Sequence, residues 1–127
     1  MKNKLILLLT LFLAVIVFAG CSSNKTFKSS QETLKLIGNP TTGFTWVVSN
    51  SNPEIVSVSE DIQYWGKDGV TGAQSMFTYT IDSKKSGTAE LLFEYKRPWE
   101  KTEAESIRSF AITVKENGRI VMKEISK

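Results

Sequence analysis

Chemistry needs reactive side chains, and this chain offers few. It has no histidine and one cysteine, Cys21. A Ser-His-Asp triad, a Cys-His pair and a histidine metal site are therefore excluded, as is a disulfide within one chain. Glu100, Glu103 and Glu105 share a polar stretch with Lys101 and read as a solvated loop, since unpaired carboxylates stay in water. Asp61 and Asp68 lack the dense acidic spacing of a calcium loop. No glycine-rich loop precedes a helix to cradle phosphate. The many serines and threonines have no evident base. A paired-carboxylate glycosidase would need two acids held across a cleft, and nothing marks such a pair. The expectation is a binding protein that is not an enzyme and uses no cofactor or metal.

Three segments carry the residue types that loops use for recognition. The first is Asn39-Pro40-Thr41-Thr42-Gly43, followed by Phe44. Proline holds φ near −65°, glycine accepts positive φ, and asparagine can bond to its own backbone. A stiff loop with two hydroxyl side chains at its tip is expected, serving either as a tight interstrand turn or as a contact surface. The second is Gly69-Val70-Thr71-Gly72-Ala73, after Tyr64-Trp65-Gly66, where two glycines allow a flexible or sharply bent connection. The third is Arg97-Pro98-Trp99, running into Glu100-Lys101-Thr102-Glu103. Trp and Arg are enriched at binding hot spots, although this tryptophan could equally be tucked against its own domain.

The elements that must position these segments alternate every second residue, the mark of half-buried strands. Leu34/Leu36, Trp46/Val48, Ile55–Val58, Phe77/Tyr79/Ile81, Leu91/Phe93/Tyr95, Phe110/Ile112/Val114 and Ile120/Met122 form the apolar sides of successive runs. Trp46, inside such a run, is expected in the core. Turn formers separate the runs: Gly38-Asn39-Pro40, Ser51-Asn52-Pro53, Lys67-Asp68-Gly69, Ser86-Gly87 and Asn117-Gly118. The last is a strong hairpin signal, because both residues tolerate positive φ. With no long helical stripe after the N-terminal segment, the pattern predicts one all-β domain, a sandwich or barrel, over 32–127.

The N-terminus is different. Lys2 and Lys4 precede an apolar run from Leu5 to Phe18, broken only by Thr10; Ala19, Gly20 and Cys21 follow. This is the layout of a secretory signal over 1–20, and the run is short for a membrane span. The small residues before Cys21 resemble the lipobox of bacterial lipoproteins, in which the cysteine is lipidated and becomes the new N-terminus. An ordinary cleaved signal and an uncleaved anchor are the other readings. Residues 21–31 then serve as the lipidated cysteine and a flexible tether. Lys2 and Lys4 also account for two of the sixteen basic residues, leaving fourteen against thirteen acids from residue 21 onward. Nucleic acid is not an expected partner of so balanced a domain.

Gly38-Asn39-Pro40-Thr41-Thr42-Gly43-Phe44, the Gly69–Ala73 segment and Tyr95-Lys96-Arg97-Pro98-Trp99-Glu100 together resemble the chagasin-like inhibitors of papain-type cysteine proteases in order and spacing. The resemblance spans roughly residues 31–125. It implies an immunoglobulin-like β-sandwich with three loops side by side at one end. It also implies reversible, competitive blocking of a papain-like protease cleft. Thr41 and Thr42 would lie nearest the catalytic pair; Arg97, Pro98 and Trp99 would grip one wall; Gly69, Val70, Thr71, Gly72 and Ala73 would grip the other. With the lipobox, the expectation is a monomeric inhibitor anchored by lipid at the bacterial cell envelope and facing outside the cytoplasm. The alternative is a non-inhibitory Ig-like envelope lipoprotein that binds another surface protein or a glycan.

Overall fold

Each alternating run becomes a strand. The computed structural model describes residues 25–66 and 72–125. The strands are β1 (Gln31–Gly38), β2 (Thr45–Asn50), β3 (Val56–Tyr64), β4 (Ser75–Ser83), β5 (Gly87–Lys96), β6 (Ser106–Val114) and β7 (Ile120–Ile125). One 3₁₀ turn, Pro40–Thr42, interrupts them. A three-stranded sheet in the order β1-β4-β3 packs on a four-stranded sheet in the order β2-β5-β6-β7, and every pairing is antiparallel. This is the expected all-β, Ig-like sandwich.

The core lies between the sheets because the alternation places every second side chain there. β4 alternates strictly between buried and half-buried positions. Phe77, Tyr79 and Ile81 from β4 meet Leu91 and Phe93 from β5 and Phe110 and Ile112 from β6. The Tyr79 and Phe93 rings meet edge-on at 4.9 Å, and Phe93 meets Phe110 at 5.7 Å. Burying each such side chain contributes roughly 1.5–3 kcal/mol. Trp46 is buried, as its run predicts. The Tyr79 hydroxyl donates to the Glu60 carboxylate, and burial followed by that neighbour raises its pKa well above the ordinary phenol value.

Strand register determines which connections are neighbours. Gly38 and Tyr64 both pair with Ser75, so the ends of β1 and β3 lie beside the start of β4. Thr45 pairs with Lys96, which brings the start of β2 to the end of β5. The β1–β2, β3–β4 and β5–β6 connections therefore share one pole. The β2–β3, β4–β5 and β6–β7 turns occupy the other, which we call the base. Nine-residue strands rising about 3.4 Å per residue separate the poles by roughly 30 Å.

The chain also enters at the base. Lys28 N–H donates to the Asn117 carbonyl at 3.2 Å. Ser30 N–H donates to Ser83 Oγ at 2.8 Å, and Ser30 Oγ donates to the Gly118 carbonyl at 2.8 Å. Gln31 is already the first residue of β1. The expected tether thus ends earlier than its polar composition suggests, because turn backbone groups bind it from Lys28 onward. The Asn117-Gly118 hairpin forms, but only Gly118 has positive φ, at 87°. Gly118 N–H donates to the Lys115 carbonyl and Lys115 N–H to the Arg119 carbonyl, a five-residue connection with the glycine as its bulge. A Cβ at Gly118 would collide with the Lys28 carbonyl. The signal segment and Cys21 lie outside the described residues.

Candidate functional site: a three-loop ridge

The loop pole is built around Asn39–Gly43. Pro40 opens the 3₁₀ turn, where a missing N–H costs nothing, and Gly43 closes it at φ 84°, donating its N–H to the Pro40 carbonyl at 3.0 Å. Both threonine side chains are exposed at the tip, and their hydroxyls bond within the loop. Thr42 Oγ1 donates to the Asn39 carbonyl at 2.7 Å, and Thr41 Oγ1 donates to Asn39 Oδ1 at 2.6 Å. The Asn39 side chain makes no capping bond to backbone and serves instead as acceptor for Thr41. Both hydroxyl protons are spent on stiffening the loop, while the threonine side chains remain exposed.

Below the loop is a column of flat groups. The Arg97 guanidinium lies 4.5 Å from the centre of the Phe44 ring. Phe44 stacks on Tyr95 at 5.3 Å, and Tyr95 lies 5.0 Å from Trp46. Tyr95 also accepts the Asn39 N–H on its hydroxyl at 2.7 Å, so one ring ties the loop to the core twice. Stacked rings, and an arginine over a ring face, each contribute stabilisation beyond the area they bury. Phe44 is thus half-buried, and its exposed side is covered by Arg97.

The flanking segments are wired to the central loop. Arg97 Nε donates to the Thr42 carbonyl at 3.0 Å, while its other arm pairs with Glu100 at 3.1 Å. Glu100 is therefore half-buried and paired, unlike the solvated Lys101, Glu103 and Glu105 beside it. Pro98 is exposed. Trp99 is 69% exposed, yet the edge of its ring lies over Gly43, where an added Cβ would come within 2.5 Å of it. Glycine is required there by both backbone and neighbour. On the other side, Gly72 N–H donates to Thr41 Oγ1 at 2.9 Å, with Ala73 next to it. Gly69, Val70 and Thr71 lie outside the described residues. Among the described residues, the structure brings together Asn39–Phe44, Gly72–Ala73 and Arg97–Trp99.

Two residues that the sequence marked only as the lead into the second segment also belong to this pole. Tyr64 is 63% exposed and Trp65 is 51% exposed at the end of β3. Their adjacency was the available signal: consecutive strand residues point to opposite faces, so two neighbouring large aromatics cannot both enter one core. The pole thus presents Trp99, Tyr64 and Trp65 around a rigid central loop. Exposed aromatic groups on a braced support suit tight, water-excluding contact with a partner. Among the described residues, no three Cys, Asp or Glu side chains converge to hold a metal ion.

Comparison with known proteins agrees with this geometry. Residues 27–114 match the family described as Chagasin family peptidase inhibitor I42. Amoebiasin-1 from Entamoeba histolytica is 28% identical over 75 residues, covering 57% of this chain and 70% of the relative. The crystal structure of the cysteine protease inhibitor EhICP2, also from Entamoeba histolytica, superposes with a TM-score of 0.59 at 24% identity. That superposition covers 67% of this chain and 78% of the other, and it supports the sandwich fold. The matched family region spans all three loops and most of both sheets, and the chain belongs to the Chagasin family of peptidase inhibitors.

Proposed function

We propose that the protein is a reversible, competitive inhibitor of papain-type cysteine proteases that occludes the active-site cleft with the loop pole. The observation that carries this reading is the mutual bracing of the loops: Gly72 and Arg97 both hydrogen-bond to the Thr41-Thr42 turn, and Trp99 lies over Gly43. A braced loop loses little conformational entropy when it docks, so more of the contact energy appears as affinity. Thr41 and Thr42 face the catalytic pair. Arg97, Pro98 and Trp99 contact one wall of the cleft, and the Gly69–Ala73 segment contacts the other. Inhibition of this kind involves no reaction by the inhibitor and no cofactor.

The protein is further proposed to be exported, lipidated at Cys21 and held as a monomer at the bacterial cell envelope, outside the cytoplasm. The support is the sequence layout before Cys21 and the position of Lys28 and Ser30 at the pole opposite the loops. Such a tether leaves the loops free to meet a protease. Replacing Cys21 with Ser releases the protein from the membrane fraction on this reading; continued retention contradicts it.

Titration of the protein against papain with a fluorogenic peptide substrate tests the inhibitory role. Competitive inhibition without cleavage of the protein is expected. A folded protein that inhibits neither papain nor a cathepsin-type enzyme would overturn the reading in favour of a surface-binding lipoprotein.

A further inference from the structure

The base carries a charge pattern that inhibition does not use. Lys25, Lys28, Lys84, Lys85, Lys115 and Arg119 are all exposed there. They come from three separate segments that the fold brings side by side. Gly87 pairs with Val114, so the Lys84–Ser86 turn adjoins the Lys115–Arg119 turn. The Lys28–Asn117 and Ser30–Ser83 bonds lay the N-terminal segment across both. Lys25, Lys115 and Arg119 line one cleft with Glu116 and Asn117. Among the described residues, none of the six cations forms an ion pair. Lys84 spends one proton on the Pro53 carbonyl, a bond that leaves its charge uncompensated. The acids at this pole are Glu54 in the β2–β3 turn and Glu116, with Glu32 and Asp82 within two residues of the adjoining strand ends, four against six cations. The other pole differs: its β5–β6 connection holds Glu100, Glu103 and Glu105 against Arg97 and Lys101. Between Lys25 and Lys28, Phe27 is 36% exposed.

We infer that the base is a docking surface for anionic phospholipid headgroups, which seats the sandwich upright on the membrane and points the loop pole away from it. This rests on the proposed membrane attachment, because the apolar segment and Cys21 immediately precede Lys25 in the chain. Seven residues from Cys21 to Lys28 reach at most about 25 Å, so the base cannot stray far from the headgroups. Without docking, such a leash lets the sandwich lie on its side and hide a loop. Clustered Lys and Arg are attracted to an anionic leaflet within about a Debye length, and an aromatic such as Phe27 suits the interface beside them. The orientation puts the protease-facing loops roughly 30 Å above the surface, the length of the strands.

The test reconstitutes the full chain on the outside of two kinds of vesicle, phosphatidylcholine alone and phosphatidylcholine mixed with phosphatidylglycerol. Flotation first reports attachment; a chain that fails to float with phosphatidylcholine vesicles contradicts the anchorage itself. Lysine acylation by a water-soluble succinimidyl ester, read by mass spectrometry, then reports docking. On the mixed vesicles Lys28, Lys84, Lys85 and Lys115 are expected to react at least about threefold more slowly than on phosphatidylcholine, with Lys35 and Lys101 unchanged; about 0.5 M salt removes the difference by screening. Lys84→Glu combined with Lys85→Glu should abolish it while leaving protease inhibition in solution intact. Equal labelling on the two vesicle types, or protection that includes Lys101, would overturn the inference. Protection by the mixed vesicles of a chain that does not float with phosphatidylcholine would sustain docking while the anchorage reading fails.

Discussion

The two poles of the sandwich share the same strands and divide the labour of the molecule. At the base, the connections are tight turns closed by backbone bonds, such as Gly118 N–H to the Lys115 carbonyl and Lys84 N–H to the Ile55 carbonyl, and by short polar side chains of the same turns: Asn50 and Asn117 each accept a backbone N–H two residues on, and Ser51 accepts the Glu90 N–H. The lysines of these turns remain exposed. At the loop pole, side chains from a distant segment join in: Tyr95 and Arg97 bond to the central loop, beside the bonds Asn39 and both threonines make within it. What is left over there is aromatic surface. A turn that closes on its own backbone can accept almost any outward residue. A loop braced by side chains has fixed most of its sequence to keep its shape, and such investment marks the end that must present one conformation to a partner.

Substitutions act on the two poles separately or together. Phe93 is fully buried and serves both poles, so Phe93→Ala should cost about 3–5 kcal/mol in urea unfolding and weaken both ends together. A loss below about 1 kcal/mol would mean the poles do not share one core. Gly43→Val should act on the loop pole alone. A branched side chain at φ 84° that also collides with Trp99 strains the loop by about 3 kcal/mol, expected as an inhibition constant raised on the order of 100-fold with the base turns unchanged by NMR. Trp99→Ala should weaken inhibition by about 30-fold, or about 2 kcal/mol, without shifting the unfolding midpoint, because the ring is mostly exposed. Tyr95→Phe removes the acceptor for Asn39 N–H and should cost about 1 kcal/mol of stability and a few-fold of inhibition. Charge reversal at Lys84 and Lys85 should change stability by less than about 0.5 kcal/mol and solution inhibition not at all.

The strands were legible because a two-residue period is a direct record of the buried face. Seven alternating runs became seven strands, and Phe77, Tyr79 and Ile81 took the buried positions their spacing assigned. The positions of the three loops within the chain were legible too, since proline and glycine state backbone requirements locally. What the alternation could not carry were contacts between distant segments. Nothing near Tyr95 announces that its hydroxyl holds Asn39, 56 residues away. Nothing near Gly43 announces a tryptophan ring above it. Composition misled at Lys28–Gln31, where Ser and Lys read as tether although Ser30 bonds to the end of β4 and to the β6–β7 turn. It did not show that the Thr41 and Thr42 hydroxyls, exposed at the tip, also bond within the loop.

On the proposed function, the loop pole alone meets the protease. Amide hydrogen exchange on the protein, free and in complex with papain whose catalytic cysteine is replaced, decides this. Protection is expected at Asn39–Phe44, Gly72–Ala73 and Arg97–Glu100, with the turns at Lys84–Ser86 and Lys115–Arg119 exchanging as in the free protein. Protection centred on those base turns, or along β2 and β3, with the loop pole unchanged, would contradict it.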